Sequence, residues 1–299
     1  MYRFAIDNQE ELRDGISRVL NEQYSHIEEQ IKITDNIDIS VHEIRKTLKR
    51  VRGVLRLIRY DIGEELYHIE NVKCRELARL LSKIRDLHVI ISYLAECFEA
   101  EEIKVNEGSF IKFIDHLNTQ KELALQKIVD NNVFQHISDK ASDSKKAIEN
   151  YPLNNLGPHT IQEGVTKVYQ QCLGKMEESQ LNLDDHSTHQ LRKKVKYLLN
   201  QMLLMQEVWP DYFVHYSSSL KTVSDLLGDD HNLAETVAII QECPDTILIQ
   251  EEKDKMIKSI NNEKSQIHDD VWPLLGKIFT EEPEAFVKRI KSYWLISRE

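Results

Sequence analysis

The sequence predicts an all-α protein, and three observations carry that reading. Glycine and proline are scarce, 9 and 6 in 299 residues, so tight turns are few. Long stretches are rich in Leu, Ile, Lys, Glu and Gln, which lose little rotamer freedom in a helix. Apolar residues recur at the three-to-four spacing of an amphipathic helix along most of the chain.

The elements follow in order. A first helix is expected from about Asn8, with Asp7 as its N-cap, to about Ile33; Leu12, Ile16, Val19, Leu20 and Ile27 form its apolar stripe. A second spans about Ile39 to Tyr60, and a long third about Glu64 to Phe98. A fourth covers about Ser109 to Val129, with a weaker continuation through Ile148. The stretch Asn150 to Pro158 concentrates Pro, Gly and Asn and reads as a loop. Beyond it helices are expected at about 159–178, 185–208, 211–241, 250–278 and 282–295, with Pro210 near a helix start, where its missing N–H matters least.

The loop lies at the midpoint of the chain and prompts a search for a repeat. Val41 to Arg50 and Thr188 to Tyr197 both read H-x-apolar-R-K-x-apolar-K, offset by 147 residues. A second pair of blocks, Leu77 to Leu87 and Val223 to Leu233, is offset by 146. Two ordered blocks at nearly constant offset mark a tandem duplication of a helical-bundle unit, with halves at residues 1–150 and 151–299.

The net charge is −11, unlike a typical DNA-binding domain. Locally the balance reverses: residues 41–59 hold seven Lys or Arg and one acid, Glu43. On a helix His42, Arg45, Lys46, Lys49 and Arg56 share one face, opposite Ile44, Leu48, Val51, Leu55 and Ile58. Gly53 lies on the basic side, where a ligand or a neighbouring backbone could come close. Like charges three or four apart cost roughly 0.2–0.5 kcal/mol per pair, and the six pairs here sum to about 1–3 kcal/mol, which an anion would offset. His189, Arg192, Lys193 and Lys196 repeat the geometry, and Arg75, Arg79 and Lys83 add a basic line at i, i+4, i+8. The second-half counterpart of that line is Lys221, Asp225 and Asp229, so the first half is expected to contribute more.

A basic helix face is usually a solvated surface paired with Glu on a neighbour. Two faces of identical spacing in an acidic chain favour a ligand instead. Arg offers a planar fork to phosphate oxygens and Lys a point charge. Single-strand nucleic-acid binders also need aromatic platforms, and residues 41–59 offer none, nor do residues 188–196 before Tyr197. The pattern points to a phosphate chain without bases, with nucleic acid the less favoured partner. His42 and His189 are expected to donate hydrogen bonds to phosphate, with a charge responsive to mild acidification.

These blocks, with Leu81-Ser-Lys-Ile-Arg85-Asp86-Leu-His-Val89 and Leu226-Leu-Gly-Asp-Asp-His-Asn232-Leu, resemble the CHAD family, the conserved histidine α-helical domain, across about residues 7–295. The resemblance implies two four-helix bundles related by a pseudo-twofold, with a basic groove or pore at their junction holding inorganic polyphosphate. On that pattern His42, Arg45, Lys46, Lys49, Arg52, Arg56, Arg75, Arg79, Lys83, His189, Arg192, Lys193 and Lys196 are the ligand residues. Arg85 and Asp86 match the family's Arg-Asp and read as partly architectural. The chain departs from the pattern at Tyr197, where the first half has Arg50, and at His231 and Asn232, where it has Arg85 and Asp86. No E-x-E-x-K strand signature of the triphosphate-tunnel domain found in many relatives is present, so a stand-alone member is expected.

No catalysis, cofactor or metal is expected. The run Asp184 to His189 has metal-ligand spacing, but it reads better as an N-cap, and Glu65-x-x-His68 lacks a second copy. No nucleophile elbow, P-loop or dinucleotide fingerprint occurs. The rival readings are a metal-dependent phosphohydrolase and an RNA- or protein-binding scaffold. Trp209, Trp272 and Trp294 are expected in packing. Cys74, Cys97, Cys172 and Cys243 stand far apart, which fits a reducing cytosol. No signal-peptide or membrane-spanning run is found, so a cytoplasmic location is expected, with polyphosphate granules as a further expectation.

Overall fold

A computed structural model describes residues 2–33, 35–182 and 184–299. Among these residues the elements are twelve helices and no strand: α1 Leu12–Ile31, α2 Ile37–Leu57, α3 Arg59–Ile62, α4 Glu64–Leu80, α5 Ser82–Glu99, α6 Glu107–Asp130, α7 Val133–Ile148, α8 Pro158–Asn182, α9 Asp185–Leu204, α10 Pro210–Glu242, α11 Gln250–Ile278 and α12 Pro283–Ile296.

Local chemistry explains the boundaries. The Asn36 side chain accepts from Ile39 N and starts α2. Asp184 does the same for α9, accepting from Ser187 N at 2.6 Å, so this acidic run is a helix cap. Pro210 and Pro283 occupy the first turns of α10 and α12. Asp7, expected to cap the first helix, does not. Its side chain accepts from Gln9 N and its N–H donates to Glu10 Oε1, so residues 7–10 form a turn and α1 begins at Leu12. The preceding strap is tied down, with Ile6 fully buried and its N–H donating to Leu204 O at the end of α9.

The single helix expected over 64–98 breaks at Leu81 (φ −101°, ψ 3°), which is fully buried. The break re-aims the chain, so that α4 packs on α2 whereas α5 packs chiefly on α6 and α10. It also leaves carbonyls of the last α4 turn without helical donors. Arg45 of α2 donates to one of them, Ala78 O, at 2.6 Å.

Two hydrophobic cores result. The larger draws on α1, α2, α4, α7, α8, α9, α12, the N-terminal half of α10 and the end of α11. The smaller joins α5, the start of α6, the end of α10 and the start of α11. Each core takes residues from both halves of the sequence, so no gap in packing falls at residue 150. Packing pairs do recur in order: α1 on α2 and α8 on α9, α1 on α7 and α8 on α12, α2 on α4 and α9 on α10, α5 on α6 and α10 on α11.

The halves meet where α2 crosses α9. Gly53 is buried there, and a Cβ on it would stand 2.7 Å from Asn200 Cβ. Asn200 donates to Lys49 O. Gly53 and Asn200 are 147 residues apart, the same offset as the two basic sequence blocks. The glycine therefore admits the neighbouring helix rather than a ligand. Gly164 of α8 is tighter still: a Cβ would lie 2.7 Å from Leu57 Cα and well inside van der Waals contact distance of Leu57 O. Gly164→Ala should cost roughly 1–3 kcal/mol through overpacking, even though Ala is the better helix former. A lower urea midpoint at unchanged m-value checks it.

Candidate functional site

One cavity of about 710 Å³ lies between α2, α5, α9 and α10. Its wall carries Arg45, Lys46, Lys49, Arg50, Arg85, Arg192, Lys196 and Lys221 against Asp86, Asp225 and Asp229: eight cations to three acids, a surplus of five in a chain of net charge −11. His42 and His231 complete its titratable lining. α2 supplies Arg45, Lys46, Lys49, Arg50 and His42 because its opposite stripe, Val41, Ile44, Leu48 and Val51, is fully buried and fixes the helix's rotation. α9 is oriented the same way by Leu191, Val195 and Leu198.

Few of these cations are satisfied. Lys49, Arg85, Arg192 and Lys196 make no side-chain hydrogen bond and no ion pair with the described residues. Arg45 is held by Ala78 O and lies 3.9 Å from Asp86. Lys46 pairs with Glu43 at 2.8 Å, the acid already noted as the only one in its segment. Asp86 and Arg85, both read as partly architectural, line the cavity, Asp86 beside Arg45.

The electrostatics follow from crowding. Burial, then Arg192, Arg45 and Lys196, push the Lys49 ammonium down to about 7. Burial and the Arg85 charge lower His42. Burial, then His231, Lys193 and Arg192, hold His189 at about 3, and burial followed by Arg192 holds His231 at about 4. His189 is therefore neutral in the free protein at mildly acidic pH, contrary to the expected response, because three cations and a second imidazole surround it. Their rings are 4.0 Å apart, and His189 Nδ1 is buried without a partner.

Of the predicted ligand residues, His42, Arg45, Lys46, Lys49, Arg192 and Lys196 come together in this cavity. His189 stands behind His231 in a second layer. Arg52, Arg56 and Lys193 do not line it. Arg52 donates to Asn71 Oδ1, and Arg56 lies 3.6 Å over the Tyr197 ring and donates to Arg52 O. Lys193 lies near Arg52, which lowers its pKa after burial does. Arg75, Arg79 and Lys83 are outside as well. All three are exposed; Arg75 pairs with Glu76 at 2.9 Å, and Arg79 lies 3.8 Å from Glu76. The lining residues not predicted are Arg50, Arg85, Lys221 and His231. Arg50 was open to detection, four residues after Lys46 in a basic run; Lys221 was masked by Asp225, with which it pairs at 2.6 Å.

Tyr197 offers no free stacking face, since Arg56 and Arg52 stand over it. Trp294 is buried; half-exposed Trp209 packs edge-on against Tyr293, and Trp272 packs against the larger core. Among the described residues no three His, Cys, Asp or Glu side chains group as metal ligands, and no helix is long and apolar enough to cross a membrane. All four cysteines are free and buried. A second cavity, about 790 Å³, is lined by Glu99, Glu101, Glu107, Glu251 and Glu252 against Lys104 and Lys255, and repels a polyanion.

Comparisons with known proteins bear on the family and the fold. No curated protein matches the sequence. A crystal structure of the CHAD domain from the plant Ricinus communis has the same fold, with a TM-score of 0.67 at 14% identity over 93% of this chain and 94% of that one. The family model for the CHAD domain matches residues 18–241, from within α1 to near the end of α10, a span that includes every cation of the cavity. With most of its length so matched, the chain belongs to the CHAD domain family.

Proposed function

We propose that this protein binds inorganic polyphosphate without turning it over, holding the chain in the cavity between α2, α5, α9 and α10. One observation carries the reading: cations from both halves of an acidic chain converge on one cavity, and Lys49, Arg85, Arg192 and Lys196 there have no counter-charge bound. An ordinary basic surface would pair them with acids, and mutual repulsion in a half-buried site is unfavourable until an anion arrives. The six predicted residues in the lining bind first, with Arg50 and Arg85 added. Arg52, Arg56, Lys193, Arg75, Arg79 and Lys83 extend a basic path along α2, α9, α4 and the start of α5 for a longer chain. The recurrent packing pairs and the Gly53–Asn200 contact support two duplicated four-helix units, residues 1–150 and 151–299. Buried free thiols suit a cytoplasmic protein, and granule association would follow from the ligand.

Titration calorimetry with long-chain polyphosphate tests the reading. Affinity should fall steeply with salt, by roughly 10³-fold between about 50 and 200 mM for six or more phosphate contacts. Affinity flat in salt refutes it. A phosphate-release assay with Mg²⁺ and Mn²⁺ should show no turnover. RNA at equal charge concentration should fail to displace polyphosphate; RNA winning favours the scaffold reading.

A further inference from the structure

The two walls of the cavity differ in sign. The basic line of α4 continuing into α5, Arg75, Arg79 and Lys83, has its repeat on α10 as Lys221, Asp225 and Asp229, and those three line the cavity whereas the first three do not. An anion site with carboxylates in its wall wastes affinity unless they meet something positive on the ligand. Among the described residues no ion pair joins Asp225 or Asp229 to Arg192, and Asp225 pairs with the exposed Lys221.

Asp225 and Asp229 are one turn apart on one helix face, with roughly 5–6 Å between Cβ atoms. They are close enough that Asp225 helps raise the Asp229 carboxyl, after burial. Next to Asp225 on α10, Ser224 lines the same cavity at 3% exposure, and its hydroxyl lacks any hydrogen-bond partner among the described residues. This hydroxyl has open lone pairs, which a metal-bound water can satisfy.

We propose that the α10 wall receives a divalent cation carried on the polyphosphate, with Asp225 and Asp229 as its protein ligands and phosphate oxygens as the rest. Mg²⁺ is commonly held by one or two carboxylates together with ligand phosphates and several retained waters. The described residues offer no group of three ligands, so the protein alone holds no such ion; phosphate must supply the remaining positions. In this arrangement α2 reads bare phosphate oxygens and α10 reads the counter-ion. The asymmetry of the duplicated units thus has a purpose, recognition of the metal-laden form of the chain.

The proposal rests on the polyphosphate reading, and its test separates the two. Calorimetry with long-chain polyphosphate is run on the wild-type protein and on Asp225→Asn/Asp229→Asn, each in chelator and in millimolar Mg²⁺. Without Mg²⁺ the variant should bind more tightly, by about tenfold, because two carboxylates have left an anion site. With Mg²⁺ the order should invert: the wild type holds its affinity within about threefold, while the variant weakens by about a hundredfold or more as the ion screens the chain with nothing to receive it. Equal weakening of both proteins by Mg²⁺ overturns the proposal. Failure of the wild type to bind in chelator overturns the cationic-cavity reading instead, and this proposal with it. Unchanged circular dichroism of the variant excludes a folding effect.

Discussion

Lys49→Met with Arg192→Met should lower polyphosphate affinity by roughly 10²- to 10⁴-fold. The figure follows from two lost charge-assisted contacts of about 1.5–3 kcal/mol each. The two residues come from different halves, and neither has a bound counter-ion in the free protein. The loss should not come from unfolding. Lys49 is half-buried beside Arg45, Arg192 and Lys196, so in the absence of ligand its charge opposes folding. Lys49→Met alone should therefore raise stability by roughly 0.5–2 kcal/mol, the usual gain from relieving an unfavourable site. At about 2 °C or more per kcal/mol for a chain of this size, the gain is visible in a melt. Affinity down with melting temperature up is the signature; both falling together would assign these residues to the scaffold.

Affinity should also depend strongly on pH above neutrality. In the free protein Lys49 titrates near 7, and a bound anion returns it toward its ordinary value of about 10.4. Below about 7 the ammonium is already formed and this group adds no pH dependence. Above it, binding must take up a proton, so affinity falls by up to about tenfold per pH unit toward the bound value. Calorimetry at pH 8 in buffers of differing ionisation enthalpy should report uptake approaching one proton per site. His231 and His189, held near 4 and 3 by burial and by the same cations, act alike at lower pH, the proton uptake there ending once both are charged in the free state. The folding linkage has the matching sign. Lys49 binds fewer protons folded than unfolded between about 7 and its unfolded value, so its unfavourable contribution is full below 7 and fades as pH rises through that window. Affinity constant from pH 7 to 9 would refute the crowded-cation account.

Much of this was legible from residue order. Apolar periodicity located the helices closely, α11 at 250–278 to the residue. Boundaries failed where a local cap signal competed with tertiary packing. Asp7 has the right chemistry for a cap, but its partners belong to a turn that buries Ile6 against α9. Nothing in residues 64–98 marks a break, since Leu81 is an ordinary helix former; the break exists because α4 and α5 serve different cores. The basic faces were equally legible, because hydrophobic spacing sets which side of a helix turns outward. A helical wheel defines that side only about its own axis. It ranked Arg56 with Lys49, yet α9 crosses between them at Gly53, leaving Lys49 in the cavity and Arg56 on Tyr197.

Residue types at fixed spacing along one chain specify the all-α class, the two H-x-x-R-K-x-x-K helices and the family. Which cations share a cavity, with Arg85 and Lys221 among them and Arg75, Arg79 and Lys83 outside, depends on the packing of whole helices. The reason is physical: charge convergence depends on how two helices cross, and the crossing is set by contacts such as Gly53 on Asn200 between residues far apart in the chain. The low pKa of Lys49 has the same origin, since it requires Arg192 and Lys196 from the other half to stand beside it.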